Sequence, residues 1–268
     1  MKFLAAAVQM VASDEKAANL KEAESWVRQA AGQGARVVAL PEVFIWRGSK
    51  KSETKQAEPI PGASSTAMAG LARELQIYLL AGSILEQIPN SAKAYNTSLL
   101  IDPAGKIIAS YRKIHLFDVD LANGVSLRES DTRAPGEAVV VGNTGLCTMG
   151  LSVCYDLRFP ELYRGLAQQG AQVIFVPSAF TAYTGQAHWE SLLRARAIEN
   201  QLYMIAPAQF GQSRSSFKTH GHTMIVDPWG KILAELPDGP GVITAEIDLD
   251  YLAEVRAELP ALAHRRLF

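Results

Sequence analysis

Apolar residues fall along the chain in short runs separated by polar stretches of helical period, and this alternation sets the order of elements. Phe3 to Met10 is a nearly unbroken apolar run and predicts a buried strand. Asp14 to Gln33 has apolar positions at helical spacing and closes at Gly34, and Ala35 to Leu40 is a second run rich in Val and Ala, so the opening segment predicts a β-α-β unit. A loop with Lys50, Lys51 and a Pro61-Gly62 turn leads to a predicted helix over Ser64 to Leu75. Strands follow near Ile77 to Ser83, Ala94 to Ile101 and Lys106 to Lys113, the last two joined by the turn Asp102-Pro-Ala-Gly105. Residues Ile114 to Pro135, carrying Asp118, Asp120, Asn123 and Gly124, hold no sustained period and predict a long loop, a feature that is often functional in a compact domain.

The second half repeats the scheme. Strands over Ala138 to Val141 and Leu146 to Val153 precede a turn at Cys154 and a helix over Pro160 to Gln169. A strand over Gln172 to Val176, a helix over Gln186 to Asn200 and a strand over Leu202 to Ala206 come next. Thr219 to Val226 and Lys231 to Leu236 then form a hairpin through Asp227-Pro-Trp-Gly230. Near-continuous apolar strands interleaved with helices imply sheets covered on both faces, with helices outside. No Ser/Gly-rich linker divides the chain, so residues 1–268 read as one α/β domain. Its tail, about 249–268, has a short helix over Leu249 to Leu259 and a polar end from His264 to Phe268 that is expected to reach a neighbouring subunit.

Composition narrows the function classes. The 268 residues are 48% hydrophobic, and 26 basic residues nearly cancel 27 acidic ones, with no block of like charge to grip a phosphate backbone or an anionic membrane. Nucleic acid and membrane are therefore not expected partners. No apolar segment reaches the roughly 18 residues a membrane span needs. The opening run breaks at Gln9 without a clear cleavage site, and it reads as a strand rather than a signal peptide. Two cysteines cannot make a disulfide framework in a chain this large, so a reducing cytoplasmic setting is expected.

Cys154 ends an apolar strand just before a helix, where the helix N-terminus lowers a thiol pKa. Cys147, in mid-strand, reads as a small buried hydrophobe. A nucleophilic thiol needs a base, and Glu42 abuts the end of an apolar parallel strand, although a surface glutamate on a loop fits that position as well. Lys113 stands at another strand end among bulky apolar neighbours. Attack on an amide carbonyl puts charge on oxygen, and a fixed ammonium with the Tyr155 backbone N–H would hold it. Glu42, Lys113 and Cys154 all fall at predicted strand ends, the usual edge for chemistry in α/β sheets. A thiol hydrolase using His115, His188, His220 or His222 is the competing arrangement, and His220-Gly-His222 is a weak metal candidate.

Leu40-Pro-Glu-Val-Phe44, Tyr111-Arg-Lys-Ile-His-Leu-Phe117 and Val153-Cys-Tyr-Asp-Leu-Arg-Phe-Pro-Glu161 resemble, in order, the three signature segments of the nitrilase (carbon-nitrogen hydrolase) superfamily. The resemblance implies a four-layer α-β-β-α sandwich. It implies Cys154 as a nucleophile forming a thioester, Glu42 as general base and then acid, Lys113 as the cation at the tetrahedral intermediates, and Glu129 in support. It implies no metal or organic cofactor, and it implies a homodimer using the helices that follow Cys154 and Pro177, with His188, Trp189, Leu192 and Leu193 suited to the contact. The Cys-Tyr-Asp-Leu-Arg segment departs from the nitrile-hydrolysing branch. Together with Pro177-Ser-Ala-Phe-Thr181 it is most similar to amidases of deaminated glutathione, with omega-amidases as the alternative. A non-catalytic dimeric interaction module is a third reading, disfavoured by the presence of all three catalytic residue types. An acyl group carrying a carboxylate and a ketone asks for a cation and hydrogen-bond donors, for which Arg158, Ser178, Thr181 and Tyr183 are candidates, unless Arg158 instead pairs with Asp156 or Glu161.

Overall fold

A computed structural model describes residues 1–122, 124–212 and 217–267; Asn123 and Phe268 lie outside the described residues. The first half runs β1 (Lys2–Gln9), α1 (Lys16–Gly32), β2 (Val37–Ala39), α2 (Lys50–Glu53), α3 (Ala63–Leu75), β3 (Tyr78–Leu80), β4 (Ile84–Gln87), β5 (Ala94–Ile101), β6 (Ile107–Arg112), β7 (Asp118–Asp120) and β8 (Ser126–Arg128). The second runs β9 (Val141–Asn143), β10 (Thr148–Leu151), α4 (Pro160–Gln168), β11 (Val173–Phe175), α5 (Ala182–Asn200), β12 (Tyr203–Ala206), β13 (Phe210–Gly211), β14 (Thr219–His220), β15 (Thr223–Val226), β16 (Ile232–Leu236), β17 (Gly241–Asp248) and α6 (Leu249–Glu258).

The strands form a seven-stranded sheet, ordered β17-β1-β2-β3-β5-β4 with β6 also on β5, and a six-stranded sheet ordered β16-β15-β12-β11-β10-β9. β1 shows why its run had to be apolar throughout. Successive strand side chains point to opposite faces. Phe3, Ala5 and Ala7 enter the core shared with the second sheet, while Ala6, Val8 and Met10 enter the core beneath α1 and α3. Leu162, Tyr163 and Leu166 of α4 and Trp189, Leu193 and Ala197 of α5 cover the second sheet. The result is the four-layer α-β-β-α sandwich.

β1, β2 and β3 are parallel, as are β10, β11 and β12. β3 is antiparallel to β5 and β5 to β6, so β6 ends on the same edge as β2. Glu42 and Lys113 thereby leave one sheet on a common edge, and Cys154 leaves the other.

Several expectations need correction. β17 has no counterpart in the sequence reading, yet it pairs with β1 along its whole length, from Lys2 opposite Asp248 to Gln9 opposite Gly241. β4 and α2 also lie where no element is predicted. The loop over 114–135 contains the β7–β8 pair and a 3₁₀ turn over Glu129–Asp131. α5 begins at Ala182 rather than Gln186, because Thr181 caps it by accepting from the Thr184 N–H. Gly185 then sits inside the helix where a Cβ would stand 2.3 Å from the His220 ring, so only glycine allows that approach. Trp189 and Leu193 are buried within the chain itself and are unavailable for subunit contact.

Candidate active site

Cys154 follows β10 with its backbone at φ 51°, a left-handed conformation uncommon for a residue bearing a Cβ. Its own N–H donates to Pro177 O at 3.0 Å, which ties the turn to the end of β11. Such strained, over-determined positions cluster at functional sites because they aim one side chain rigidly. The N–H of Tyr155 follows at the start of a 3₁₀ turn over Cys154–Arg158, where the first amide hydrogens have no acceptor within the helix.

Glu42 is 3% exposed and each oxygen of its carboxylate is engaged. Oε1 accepts from Asn96 Nδ2 at 2.8 Å and from Lys113 Nζ at 3.1 Å, while Oε2 accepts from the Ala179 N–H at 2.8 Å. The Cys154 thiol lies in the field of the Glu42 carboxylate, and both side chains line the same cavity. Gln209 Nε2 donates to the Glu42 carbonyl at 3.0 Å, so the loop bearing the carboxylate is held from the second half of the chain.

Lys113 is 2% exposed, and its Nζ also meets both oxygens of Glu129, at 3.1 and 2.8 Å. Burial opposes its charge, but the carboxylates of Glu129 and Glu42 outweigh burial and hold the ammonium above its ordinary pKa. Glu129 accepts in addition from the Phe117 N–H at 2.7 Å and from Arg133, which also binds Glu53. Burial acts against the Glu129 carboxylate, yet Lys113 and Arg133 bring its pKa down to about 2.

The thiol behaves differently from the expectation of a lowered pKa. Burial, reinforced by the Glu42 carboxylate, pushes Cys154 well above the usual thiol range, and the opposing Lys113 does not reverse this. The resting thiol is therefore neutral, and the arrangement suits proton transfer during attack rather than before it. Cys147 is raised to about 12 by burial alone.

These groups open on a cavity of about 480 Å³, within the range of small-molecule sites. Glu42, Lys113, Glu129 and Cys154 all line it, with Trp46, Arg47, Glu53, Phe117, Arg133 and Phe217 among the other walls. Arg158, Ser178, Thr181 and Tyr183 do not. The Ser178 hydroxyl is fully buried and donates to Val176 O at 2.9 Å, Thr181 is spent on capping α5, and Tyr183 is exposed. Arg158 lies near His188 Nδ1, at 3.2 Å, and over the rings of Phe180 and Tyr155, pairing with neither Asp156 nor Glu161.

The cations on the cavity wall come from other parts of the chain than the segment after the nucleophile. Arg47 follows Glu42 on the same loop, and its guanidinium lies 5.4 Å from the Phe217 ring centre. Arg133 stands four residues after Glu129, and that spacing was the available signal for it. Asn96 could have been noticed as a buried amide in a strand, where Asn is depleted. None of the four histidines supplies a base to the thiol: His115 pairs with Asp156 at 2.7 Å, His188 and His222 meet Arg158 and Glu235, and His220 stacks on His222. Among the described residues no three metal-capable side chains assemble and no helix is long and apolar enough to cross a membrane.

The chain is similar over its length to known proteins. The carbon-nitrogen hydrolase family model matches residues 4–257. The chain is 47% identical over 266 residues to a deaminated glutathione amidase of Synechocystis, covering 98% of each chain. It is 40% identical to omega-amidase NIT2 of Homo sapiens, covering 98% of this chain and 95% of that one. The crystal structure of Saccharomyces cerevisiae Nit3, a member of the nitrilase superfamily, superimposes with a TM-score of 0.90 at 35% identity, covering 99% of this chain and 97% of the other. With this family model spanning nearly its whole length, the chain belongs to the carbon-nitrogen hydrolase family of the nitrilase superfamily and is an enzyme of that family.

Proposed function

We propose that the chain hydrolyses a small linear amide through a thioester on Cys154, and that this amide is deaminated glutathione. The observation that carries the chemistry is the convergence of the buried Cys154 thiol with Glu42, whose carboxylate holds Lys113, on the wall of one ligand-sized cavity. Cys154 Sγ attacks the carbonyl carbon while its proton passes to Glu42. The developing oxyanion is stabilised by Lys113 Nζ and the Tyr155 N–H. Collapse breaks the C–N bond, and Glu42 returns the proton to the departing amine. Water then attacks the thioester, giving its proton to Glu42; the C–S bond breaks, the acid leaves and the thiol is restored. Glu129 and Arg133 keep Lys113 fixed throughout.

The substrate reading rests on the 47% identical relative; the omega-amidase relatives support 2-oxoglutaramate as the second reading. The two differ in the leaving group, a Cys-Gly dipeptide or ammonia. The ratio of kcat/KM for the two amides, with Cys154→Ala as the blank, decides between them. A ratio above one supports the dipeptide amide, a ratio below one supports 2-oxoglutaramate, and turnover of neither overturns both. We also propose a homodimer in the cytoplasm: Ile198 on the outer face of α5 is exposed, and both cysteines are unpaired. Light scattering on the purified chain tests the dimer.

A further inference from the structure

Asp156 is fully buried two residues beyond the nucleophile, and its carboxylate collects four donors. Oδ2 accepts from the Tyr111 hydroxyl and from the Val153 N–H, both at 2.8 Å. Oδ1 accepts from the His115 N–H at 3.0 Å and lies 2.7 Å from His115 Nδ1. Tyr111 and His115 stand two residues before and two after Lys113. Val153 immediately precedes Cys154. One carboxylate therefore grips both flanks of the lysine and the residue leading into the nucleophile, across the two sheets.

The surroundings make this grip rigid. The Ile114 N–H donates to the Tyr111 oxygen at 3.3 Å, and the His115 ring stacks flat on Phe159, with centres 3.6 Å apart and planes 6° apart. Phe159 closes the 3₁₀ turn that begins at Cys154. Tyr111, at the end of β6, is fully buried and lies on the same strand face as Lys113 by the two-residue repeat. Lys113 is anchored to its own sheet by its N–H on Asn96 O at 2.9 Å, and its ammonium is oriented by Glu42 and Glu129. Those contacts reach the Cys154 turn only indirectly, through Glu42, the Ala179 N–H and the Pro177 carbonyl. The Asp156 clamp ties the turn directly to the chain on both flanks of the lysine.

We infer that Asp156 is a positioning residue that sets the separation of Cys154 from Lys113, so that the oxyanion formed on thiol attack meets the ammonium. It touches no substrate and acts through Tyr111, His115 and Val153. The inference rests on the proposed role of Lys113 at the oxyanion. Thiol deprotonation by Glu42 is separate, because Glu42 is held by Asn96, Lys113 and the Ala179 N–H.

The test compares Asp156→Asn and Tyr111→Phe with wild type, with Lys113→Met alongside. Turnover of 2-oxoglutaramate or deaminated glutathione is measured beside modification of Cys154 by methyl methanethiosulfonate, which needs the thiol and Glu42 but forms no carbonyl oxyanion. A misplaced reacting geometry should lower kcat about 10- to 100-fold in Asp156→Asn and by a smaller factor in Tyr111→Phe, with KM and the modification rate within about threefold. Tyr111→Phe removes a single hydroxyl and decides the matter if Asp156→Asn does not fold. Wild-type kcat in the folded variants overturns the inference. So does a parallel loss of turnover and thiol modification, which marks a merely structural residue. If Lys113→Met keeps full turnover, the proposed function of the lysine fails instead; if it is inactive while the other two match wild type, only the positioning inference fails.

Discussion

Glu42 Oε1 stands 3.1 Å from Lys113 Nζ, although the two side chains come from different loops of the first sheet and both are nearly inaccessible to water. The contact makes Glu42 an acceptor for three kinds of donor at once: an ammonium, a side-chain amide and a backbone N–H. Glu42→Gln cannot satisfy them, since its NH₂ must face one of these donors. We expect kcat/KM to fall by about 10²- to 10⁴-fold, the span of a general acid–base contribution, with the fold retained by circular dichroism. Activity within a few-fold of wild type would exclude Glu42 as the base.

Lys113→Met removes the cation between two buried carboxylates. A buried pair broken from one side costs about 3–5 kcal/mol, because the surviving charge is left without its partner. Arg133 still neutralises Glu129, so the lower end of that range is expected. Loss of an oxyanion donor lowers kcat by about 10²- to 10³-fold. Urea denaturation and steady-state kinetics on the same preparation check both, and a variant as stable as wild type contradicts the buried pairing.

How far the sequence disclosed this site depends on which force places each residue. Glu42, Lys113 and Cys154 follow apolar strands, and burial periodicity locates strand ends well. Their convergence depends on sheet order, which periodicity does not contain. β17 shows the same limit: Gly241 to Asp248 alternates weakly, and its pairing partner is β1 at the other end of the chain. The substrate-binding candidates lie close to Cys154 in sequence but not on the cavity wall. Ser178 and Thr181 use their hydroxyls for local backbone and capping contacts, as these residue types commonly do. The cavity's charged wall is instead built from the loops around Arg47 and Arg133.

The thiol environment gives a spectroscopic prediction. Burial and Glu42 hold Cys154 protonated, so thiolate absorbance near 240 nm should not differ between wild type and Cys154→Ala across pH 6 to 8 (a window of about two units around neutrality, where an activated low-pKa thiol would ionise). Cys147 is held up to about 12 and does not contribute there. A thiolate signal lost in Cys154→Ala would show a resting ion pair and replace proton transfer during attack with a pre-ionised nucleophile.

Glu129 links the site to acid stability. Its pKa falls from 4.5 to about 2 on folding, with burial opposing the shift and Lys113 and Arg133 overriding it. A carboxyl whose folded pKa is depressed contributes stability that is fully present above the unfolded value and is lost as pH falls through the folded one. Its contribution should therefore hold above 4.5 and decline between 4.5 and about 2. Glu129→Gln lacks this titration, so it should be less stable than wild type at pH near 7, with the gap narrowing as acid is added. Urea midpoints of both proteins from neutral pH down into the declining window measure that gap. A gap independent of pH would mean that Glu129 is not held as an anion by Lys113 and Arg133, and Lys113 would then owe its position to other contacts.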